Sequence, residues 1–314
     1  MFDAGETQRP RAAAIFGAAL LCLIGAGAYA READLTHLPL GDGKISHEPK
    51  RGWIWACRIE PGAGGAWRDG PWIDKKARTF NYTKKTVVQG DVHWPSHYVI
   101  ALKGTVRDFT TNDLPNHATG IFPIPSDSDA YQFDRNPNSI LPQHIAIELP
   151  ADPVPAEKPS CTPGAVGILI SGAVLFNALD APGRDAIAHE TQDKCQGHPP
   201  PGGVYHYHWI TTCIDDRREA DGSSAIVGYA LDGFGITGHY GPDGKLMTDA
   251  DLDACHGMVS SITWDGKPRR IYHYVATWEY PYTIGCMRGT FRREDVMKIA
   301  GPPPAFFGRP SPQN

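Results

Sequence analysis

The sequence lacks the short motifs that mark several common enzyme folds. It has no C-x-x-C pair, which argues against a zinc ribbon or a thioredoxin-type site. No G-x-S-x-G, P-loop or Rossmann glycine pattern occurs in a convincing context. The formal net charge of -5 argues against a basic nucleic-acid surface. Long helices are not expected, because 34 glycines and 28 prolines interrupt the 314 residues.

The first thirty residues differ from the rest of the chain. Arg9 and Arg11 precede an apolar run over residues 12–28, and Ala28-Tyr29-Ala30 is a small-x-small cleavage site. This order is typical of a secretory signal peptide over residues 1–30. The alternative is an uncleaved membrane anchor, since a run of about 17 residues is at the lower limit for spanning a bilayer. We expect a periplasmic or secreted protein that is free of the membrane after cleavage.

Cysteine usage agrees with export. Cys22 is removed with the predicted signal peptide, and six cysteines remain in the mature chain. An even number in an oxidising compartment predicts disulfide bonds. The six are Cys57, Cys161, Cys195, Cys213, Cys255 and Cys286.

Short β-type runs predominate in the remaining sequence. Residues 98–102 and 145–149 are predicted strands, and the segment 110–163 around the second is rich in Pro, Asn and Asp, which predicts long ordered loops. We predict a mainly β fold, sandwich-like or barrel-like, with long ordered loops. The expected organisation is a leading segment over 31–85, a main domain over 86–295 and a flexible tail over 296–314.

The second half of the chain contains a degenerate internal repeat. Three markers recur in the same order: Val166-Gly167 as Val227-Gly228, Asp193-Lys-Cys195 as Asp253-Ala-Cys255, and Tyr205-His206-Tyr207 as Tyr272-His273-Tyr274. The repeat predicts two related β-rich units, about 164–214 and 225–287, that pack together about a pseudo-twofold axis.

A cysteine follows each copy of the repeat, and symmetry therefore suggests a disulfide pairing. Cys195 would pair with Cys213 in the first unit, and Cys255 with Cys286 in the second. Cys57 and Cys161 are then left for each other. Because six cysteines allow fifteen connectivities, this pairing rests on the repeat alone.

The strand Val204–Trp209 contains the pattern that points most directly to chemistry. Side chains alternate between faces with period two, so His206 and His208 share one face and Tyr205 and Tyr207 the other. Two imidazoles about 7 Å apart along a strand can converge on one metal ion. The alternative is structural, with the imidazoles packed in a sheet and bonded to backbone carbonyls.

Further candidate residues surround this strand in the sequence. They are His189, Glu190, Asp193 and His198 in the first unit, and Asp232, His239, Asp253, His256 and His273 in the second. We assign His206 and His208 as metal ligands, with His198 and Asp232 as the candidate catalytic residues. Asp232 follows an apolar strand and precedes a glycine, which suits a ligand or general base but equally a turn-forming aspartate.

Imidazole-rich ligation favours Zn or Cu as the metal. Calcium is a weaker expectation, based on the run Asp249-Ala-Asp251-Leu-Asp253. That run departs from the EF-hand pattern, because Ala254 replaces the glycine and Ser260 the bidentate glutamate.

Gly203-Val-Tyr205-His206-Tyr207-His208 resembles the signature of the YHYH domain family. Further matching stretches cover roughly residues 90–290: Pro115–Gly120, Asn136–Asn138, Gly183–Asp185, Asp193–Pro199, Gly228–Phe234 and Tyr280–Cys286. The resemblance implies an exported bacterial protein and identifies the domain over 86–295 as a YHYH domain. The chain departs from the family where it reads Gly235-Ile-Thr-Gly238 in place of Pro-Ile-Tyr-Gly, so a pocket-lining tyrosine is missing.

Two functions of different classes follow from these observations. The first is a metal-binding protein with a His-centred site, hydrolytic if it is an enzyme. The second is a non-catalytic module that binds a glycan or another cell-envelope or extracellular ligand through exposed aromatic residues. A third hypothesis leaves the histidines and tyrosines as core residues alone. None of them involves nucleic acid.

Overall fold

The computed structural model describes residue 1 and residues 33–58, 64–214 and 216–300. The predicted signal peptide, apart from its first residue, lies outside the described residues, as does most of the predicted tail. Within the described ranges, no helix has the length and apolar character needed to cross a membrane.

Fourteen strands in three sheets make up most of the regular structure in these ranges. The first sheet contains β1 (Leu38–Pro39), β2 (Ile73–Asp74) and β3 (Thr79–Phe80), in the order β1-β3-β2. The second contains β4 (Tyr98–Lys103), β5 (Val106–Thr111) and β6 (Ile145–Pro150), in that order.

The main sheet has eight strands. They are β7 (Ala165–Leu169), β8 (Val174–Phe176), β9 (Gly197–His198), β10 (His206–Tyr207), β11 (Ile226–Ala230), β12 (Gly235–Thr237), β13 (Gly257–Trp264) and β14 (Lys267–Val275). Their order is β13-β14-β12-β11-β7-β8-β10-β9, which leaves β13 and β9 as open edges. The mainly β prediction is confirmed, and the open edges favour its sandwich-like form.

Helical structure is limited to short pieces. The α-helices are α1 (Ala186–His189) and α2 (Arg293–Ile299), and the 3-10 helices span Tyr82–Lys84, Asp129–Gln132, Pro242–Gly244 and Asp249–Asp251. Asp185 is the N-cap residue of α1, since its side chain accepts hydrogen bonds from the N–H groups of Ile187 and Ala188. The flexible tail predicted from residue 296 therefore starts too early, because residues 296–299 are helical and Ile299 is fully buried.

The strands form where the sequence suits a half-buried or fully buried pleat. In β6 the side chains of Ile145, Ile147 and Leu149 are buried and the residues between them are exposed. All five residues of β7 are buried, as expected for an apolar central strand. Phe109 of β5 packs edge-to-face on Tyr229 of β11, with ring centroids 5.6 Å apart, so the second sheet packs against the main one.

The main sheet is built from two equivalent halves. Reading outward from the centre, β7-β8-β10-β9 in one half corresponds to β11-β12-β14-β13 in the other. The central pair β7 and β11 is antiparallel, with Ile168 opposite Tyr229. Since these two residues occupy equivalent positions in the repeat, the pseudo-twofold axis passes through their pair. The predicted repeat is confirmed as a structural one.

Parallel pairing inside each half has the same register. Tyr207 lies opposite Leu175 between β10 and β8, and Tyr274 lies opposite Ile236 between β14 and β12. The loops correspond as well. Asp193 accepts hydrogen bonds from the N–H groups of the residues two and four positions later and from a tyrosine hydroxyl, and Asp253 makes the same three contacts in the second unit.

Three cysteine pairs lie at disulfide distance. They are Cys57–Cys161, Cys195–Cys213 and Cys255–Cys286, the pairs that the repeat predicts. Two of them close one loop in each unit. The third joins the leading segment to the start of the first unit, across 104 residues of sequence.

Candidate metal centre

Strand pairing brings three histidines to the outer part of the main sheet. His206 of β10 lies directly opposite His198 of the edge strand β9. Side chains of directly opposed residues in an antiparallel pair project to the same face. His208, two residues after His206, projects to that face too. The local sequence therefore places all three imidazoles together, and each residue is no more than 5% exposed.

Glu190, which directly follows α1, adds a carboxylate to this group. Its Oε2 atom lies 3.1 Å from Nε2 of His198 and 3.2 Å from Nε2 of His208. The Nε2 atoms of His206 and His208 are 3.1 Å apart. Donor atoms about 2.0 Å from a tetrahedral Zn ion lie about 3.3 Å from one another, which is close to the separation of the two histidine nitrogens.

Backbone carbonyls fix the ring orientation of two of the imidazoles. Nδ1 of His206 lies 3.2 Å from the Val204 carbonyl, and Nδ1 of His208 contacts the Asn177 carbonyl. A carbonyl only accepts, so both Nδ1 atoms are the donors. In the neutral rings both Nε2 atoms then carry lone pairs that face each other, an arrangement that a cation between them would stabilise. Metal-bound histidines typically show this second contact to a carbonyl.

Several buried polar atoms of the cluster have no hydrogen-bond partner within the described residues. They are Oε2 of Glu190 and both ring nitrogens of His198. The close contacts of Glu190 are within ion-pair distance, but their angles do not meet hydrogen-bond geometry. Leaving such a group unpaired costs on the order of 1–3 kcal/mol. A metal ion bound between these unpaired atoms would satisfy them.

Charge interactions within the cluster favour an ionised glutamate and a neutral His206. Burial by itself raises the pKa of Glu190, but His198 and His208 outweigh it and hold the pKa well below its usual value. Burial, followed by the nearby His198 and His208, lowers the pKa of His206 well below its usual value. A neutral imidazole beside a carboxylate is the ionisation state that metal binding requires.

A cavity of about 770 Å³ opens beside the cluster. Glu190 and the three histidines form part of its wall, and Phe176 covers His206 with ring centroids 4.1 Å apart. The rest of the wall comes from distant segments of the chain, including residues 134–138 and 177–183. A volume of this size accommodates a small-molecule ligand.

Residues 146–249 match the family model described as YHYH protein. This part of the chain belongs to the YHYH family. The matched range contains Glu190 and all three histidines of the cluster. No curated protein and no solved structure matches the chain.

The two tyrosines of the YHYH motif point away from the cavity and anchor the strand. Tyr205 donates to Asp193 over 2.8 Å, and the Tyr207 hydroxyl lies 3.0 Å from Ser171 Oγ and 2.6 Å from His117 Nε2. Both tyrosines are fully buried. The motif therefore combines a structural face with a histidine face, as the period-two pattern predicts.

Two of the predicted site residues lie apart from the cluster. Asp232, which the sequence suggests as a catalytic residue, is outside the cluster, and its carboxylate accepts from Tyr274 at 2.6 Å and from the Gly289 N–H at 2.8 Å in the second unit of the repeat. His189 also faces elsewhere, since its Nε2 lies 2.9 Å from Asp42 and its Nδ1 2.9 Å from Asp69. The three histidines assigned to the site from the sequence, His198, His206 and His208, come together.

The second unit of the YHYH domain does not reproduce the three-histidine cluster. The strand register places Met258 where the first unit has His198, and Val275 where it has His208. His273, the equivalent of His206, instead lies 2.8 Å from Ser260 Oγ and 3.1 Å from Thr237 Oγ1. The two-unit fold therefore has one cluster of this type in the described residues.

Two of the three aspartates in the weak calcium hypothesis, Asp251 and Asp253, accept hydrogen bonds within the protein. Asp251 accepts from Lys245 and Thr248 in its own turn. Asp253 accepts two backbone N–H groups and the Tyr272 hydroxyl. Asp249 differs from them, because its buried Oδ1 atom has no hydrogen-bond partner within the described residues.

Proposed function

We propose that the YHYH domain of this protein binds a divalent transition-metal ion, Zn or Cu, through His198, His206 and His208. One observation carries the proposal: the Nε2 atoms of His206 and His208 face each other at 3.1 Å, while both Nδ1 atoms are committed to carbonyls. The unpaired His198 and Glu190 atoms beside them support it.

The adjoining cavity supports a hydrolytic role for the site. A divalent ion held by the three imidazoles would leave one coordination position for water and would supply Lewis-acid activation of that water. The Glu190 carboxylate, buried and ionised, is placed to orient that water and to accept a proton. The burial of Glu190 and the three histidines limits the contact of their side chains with bulk water, which strengthens the electrostatic interactions among them.

The metal content of the purified protein tests the proposal. We expect about one equivalent of Zn or Cu by elemental analysis after export to an oxidising compartment, and its loss in the His206→Gln/His208→Gln variant. His273→Gln is the matched control, because His273 holds the equivalent strand position without the cluster. Wild-type protein without stoichiometric metal, and with the same melting temperature in chelator, would favour a buried hydrogen-bonded cluster instead.

We further propose that the protein functions in the periplasm or outside the cell. Three cysteine pairs at disulfide distance support an oxidising compartment. Mass spectrometry of the exported protein gives the test in the same preparation. We expect the mature chain to begin after Ala30, and an intact N-terminus would argue for the membrane-anchor alternative.

The second candidate function is a non-catalytic binding module for a glycan or another small ligand. Trp67, 53% exposed, lies on the cavity wall, and exposed aromatic residues suit sugar binding. This function needs no metal. It predicts ligand binding that is unchanged in chelator and in the His206→Gln/His208→Gln variant.

A further inference from the structure

The charged residues on the cavity wall differ in whether their charge is already neutralised. Besides Glu190 and the histidines, the wall contains Asp134, Asp180, Arg58 and Arg135. The chemistry of the ligand follows from which of these groups remain free to bind it.

Both wall aspartates are occupied by the protein itself. The Asp134 carboxylate accepts the N–H groups of Asn136 and Thr191. Asp180 accepts the backbone N–H and the guanidinium of Arg184, with the side-chain contact at 2.8 Å. These carboxylates stabilise the wall and leave little capacity for a cationic ligand.

Both wall arginines keep their donors free. Neither Arg58 nor Arg135 makes a hydrogen bond or ion pair with any described residue. Arg135 lies over the Trp67 ring, 4.2 Å from its centroid, and 5.3 Å from the Tyr131 centroid. Stacking uses the face of a guanidinium and leaves its in-plane N–H groups available, so the side chain is held in place with its donors unpaired.

We propose that the cavity binds a small organic substrate that carries an oxyanion group, a carboxylate or a phosphate. Arg58 and Arg135 bind the oxyanion, and the remainder of the substrate extends towards the histidine cluster. Guanidinium groups bind both oxyanions through paired N–H donors. The reaction of the substrate at the histidine cluster rests on the proposed function. The binding of the oxyanion depends only on the two arginines.

Calorimetric titration with two probes tests the subsite and separates the two oxyanions. Inorganic phosphate and benzoate are titrated separately into the wild-type protein, the Arg58→Gln/Arg135→Gln variant and an Arg68→Gln control. Arg68 also contacts Trp67, at 5.4 Å, but does not line the cavity. We expect at least one probe to bind, with a dissociation constant raised about tenfold or more in the double variant and unchanged in the control.

The outcomes separate this inference from the metal proposal. Each titration is repeated after chelation, with metal content measured on every sample. Arginine-dependent binding in a protein that is purified without metal and takes up none when Zn or Cu is added would leave the inference standing and overturn the proposed function. Binding that is equal in wild type and the double variant, or absent for both probes in a metal-loaded protein, would overturn the inference. The probe that binds identifies the oxyanion.

Discussion

At the scale of single residues, His206 and His273 show how one position in the repeat acquires different roles. Both lie on equivalent strands and both are buried. His273 finds hydroxyl partners in Ser260 and Thr237, which satisfy both of its ring nitrogens. His206 has another imidazole at its Nε2 instead. The difference comes from the neighbours, since His208 stands where the second unit has valine.

The sequence predicted part of the site because strand geometry is periodic. His206 and His208 share a face by the period-two rule, and His198 follows from its place before the motif. Glu190 was only one of several nearby candidates, because the direction of a side chain after a four-residue helix has no periodic signal. The catalytic role of Asp232 stays a prediction, since a buried aspartate that binds a tyrosine hydroxyl and a turn N–H has the same sequence pattern as a catalytic one.

Replacing Glu190 by Gln should change how the stability of the metal-free protein depends on pH. Burial lowers the pKa of His198, but Glu190 outweighs burial and raises it above its usual 6.5. The pKa of Glu190 is in turn held below its usual 4.5. The contribution of Glu190 to the free energy of unfolding is fully present above pH 4.5, and it is lost as the pH falls through the pKa of Glu190 in the folded protein. Stability from the histidine is present below pH 6.5 and is lost as the pH rises through its folded pKa.

The stabilisation by this pair is therefore largest between about pH 4.5 and 6.5. We expect the gap in melting temperature between wild type and Glu190→Gln to be widest in that window, measured in chelator by thermal unfolding. Glu48→Gln, an exposed glutamate, is the control and should show no such window. A gap that stays constant from pH 4 to pH 8 would contradict the assignment of the pair.

At the scale of elements, disulfides hold both the site and the cavity wall in place. The Cys195–Cys213 bridge closes a loop that contains β9, β10 and all three histidines. The Cys57–Cys161 bridge holds Arg58 of the leading segment beside the first unit. The connectivity was predictable because the repeat supplied a symmetry rule. The path of the leading segment to the cavity was not, since it depends on contacts between residues far apart in sequence.

Removing the disulfide of either unit should lower the stability of the protein, but only removal of the first unit's disulfide should also weaken metal binding. The first variant, Cys195→Ser/Cys213→Ser, opens a loop with a sequence separation of 18. The second variant, Cys255→Ser/Cys286→Ser, opens a loop with a sequence separation of 31. Each change is expected to lower the free energy of unfolding by about 3–4 kcal/mol. Only the first should weaken metal binding, because only that loop contains the histidines. Chelator competition measures the affinity, and an equal loss in both variants would show that the loop does not position the ligands.

At the scale of the whole molecule, the two units share one continuous core. Trp209 of the first unit stacks on Tyr282, which follows the last strand of the second unit, with ring centroids 5.3 Å apart. The central strands β7 and β11 join the units by backbone hydrogen bonds. We infer that neither unit has a core of its own and that the two fold together. The second unit has no equivalent of the three-histidine cluster in the described residues. This agrees with a fold in which the second unit supports the unit that contains the cluster.

A methyl group added at the pseudo-twofold axis should test this coupling. A Cβ at Gly167 would lie 2.5 Å from the Tyr229 carbonyl oxygen of the other unit, so backbone must move. We expect Gly167→Ala to destabilise the protein by about 1–3 kcal/mol, by the same mechanism as overpacking. Gly164→Ala is the matched control, because a Cβ there meets nothing within 4 Å and the residue has no positive φ.

Hydrogen exchange locates the effect of the Gly167 substitution. If the units fold as one, the amides of β10 and β14 should lose protection together and by the same factor, although Gly167 belongs only to the first unit. The Gly164→Ala protein should keep the wild-type protection in both strands. Loss of protection in β10 with β14 unchanged would mean that the units unfold separately. The second unit would then not be the support on which the histidine cluster depends.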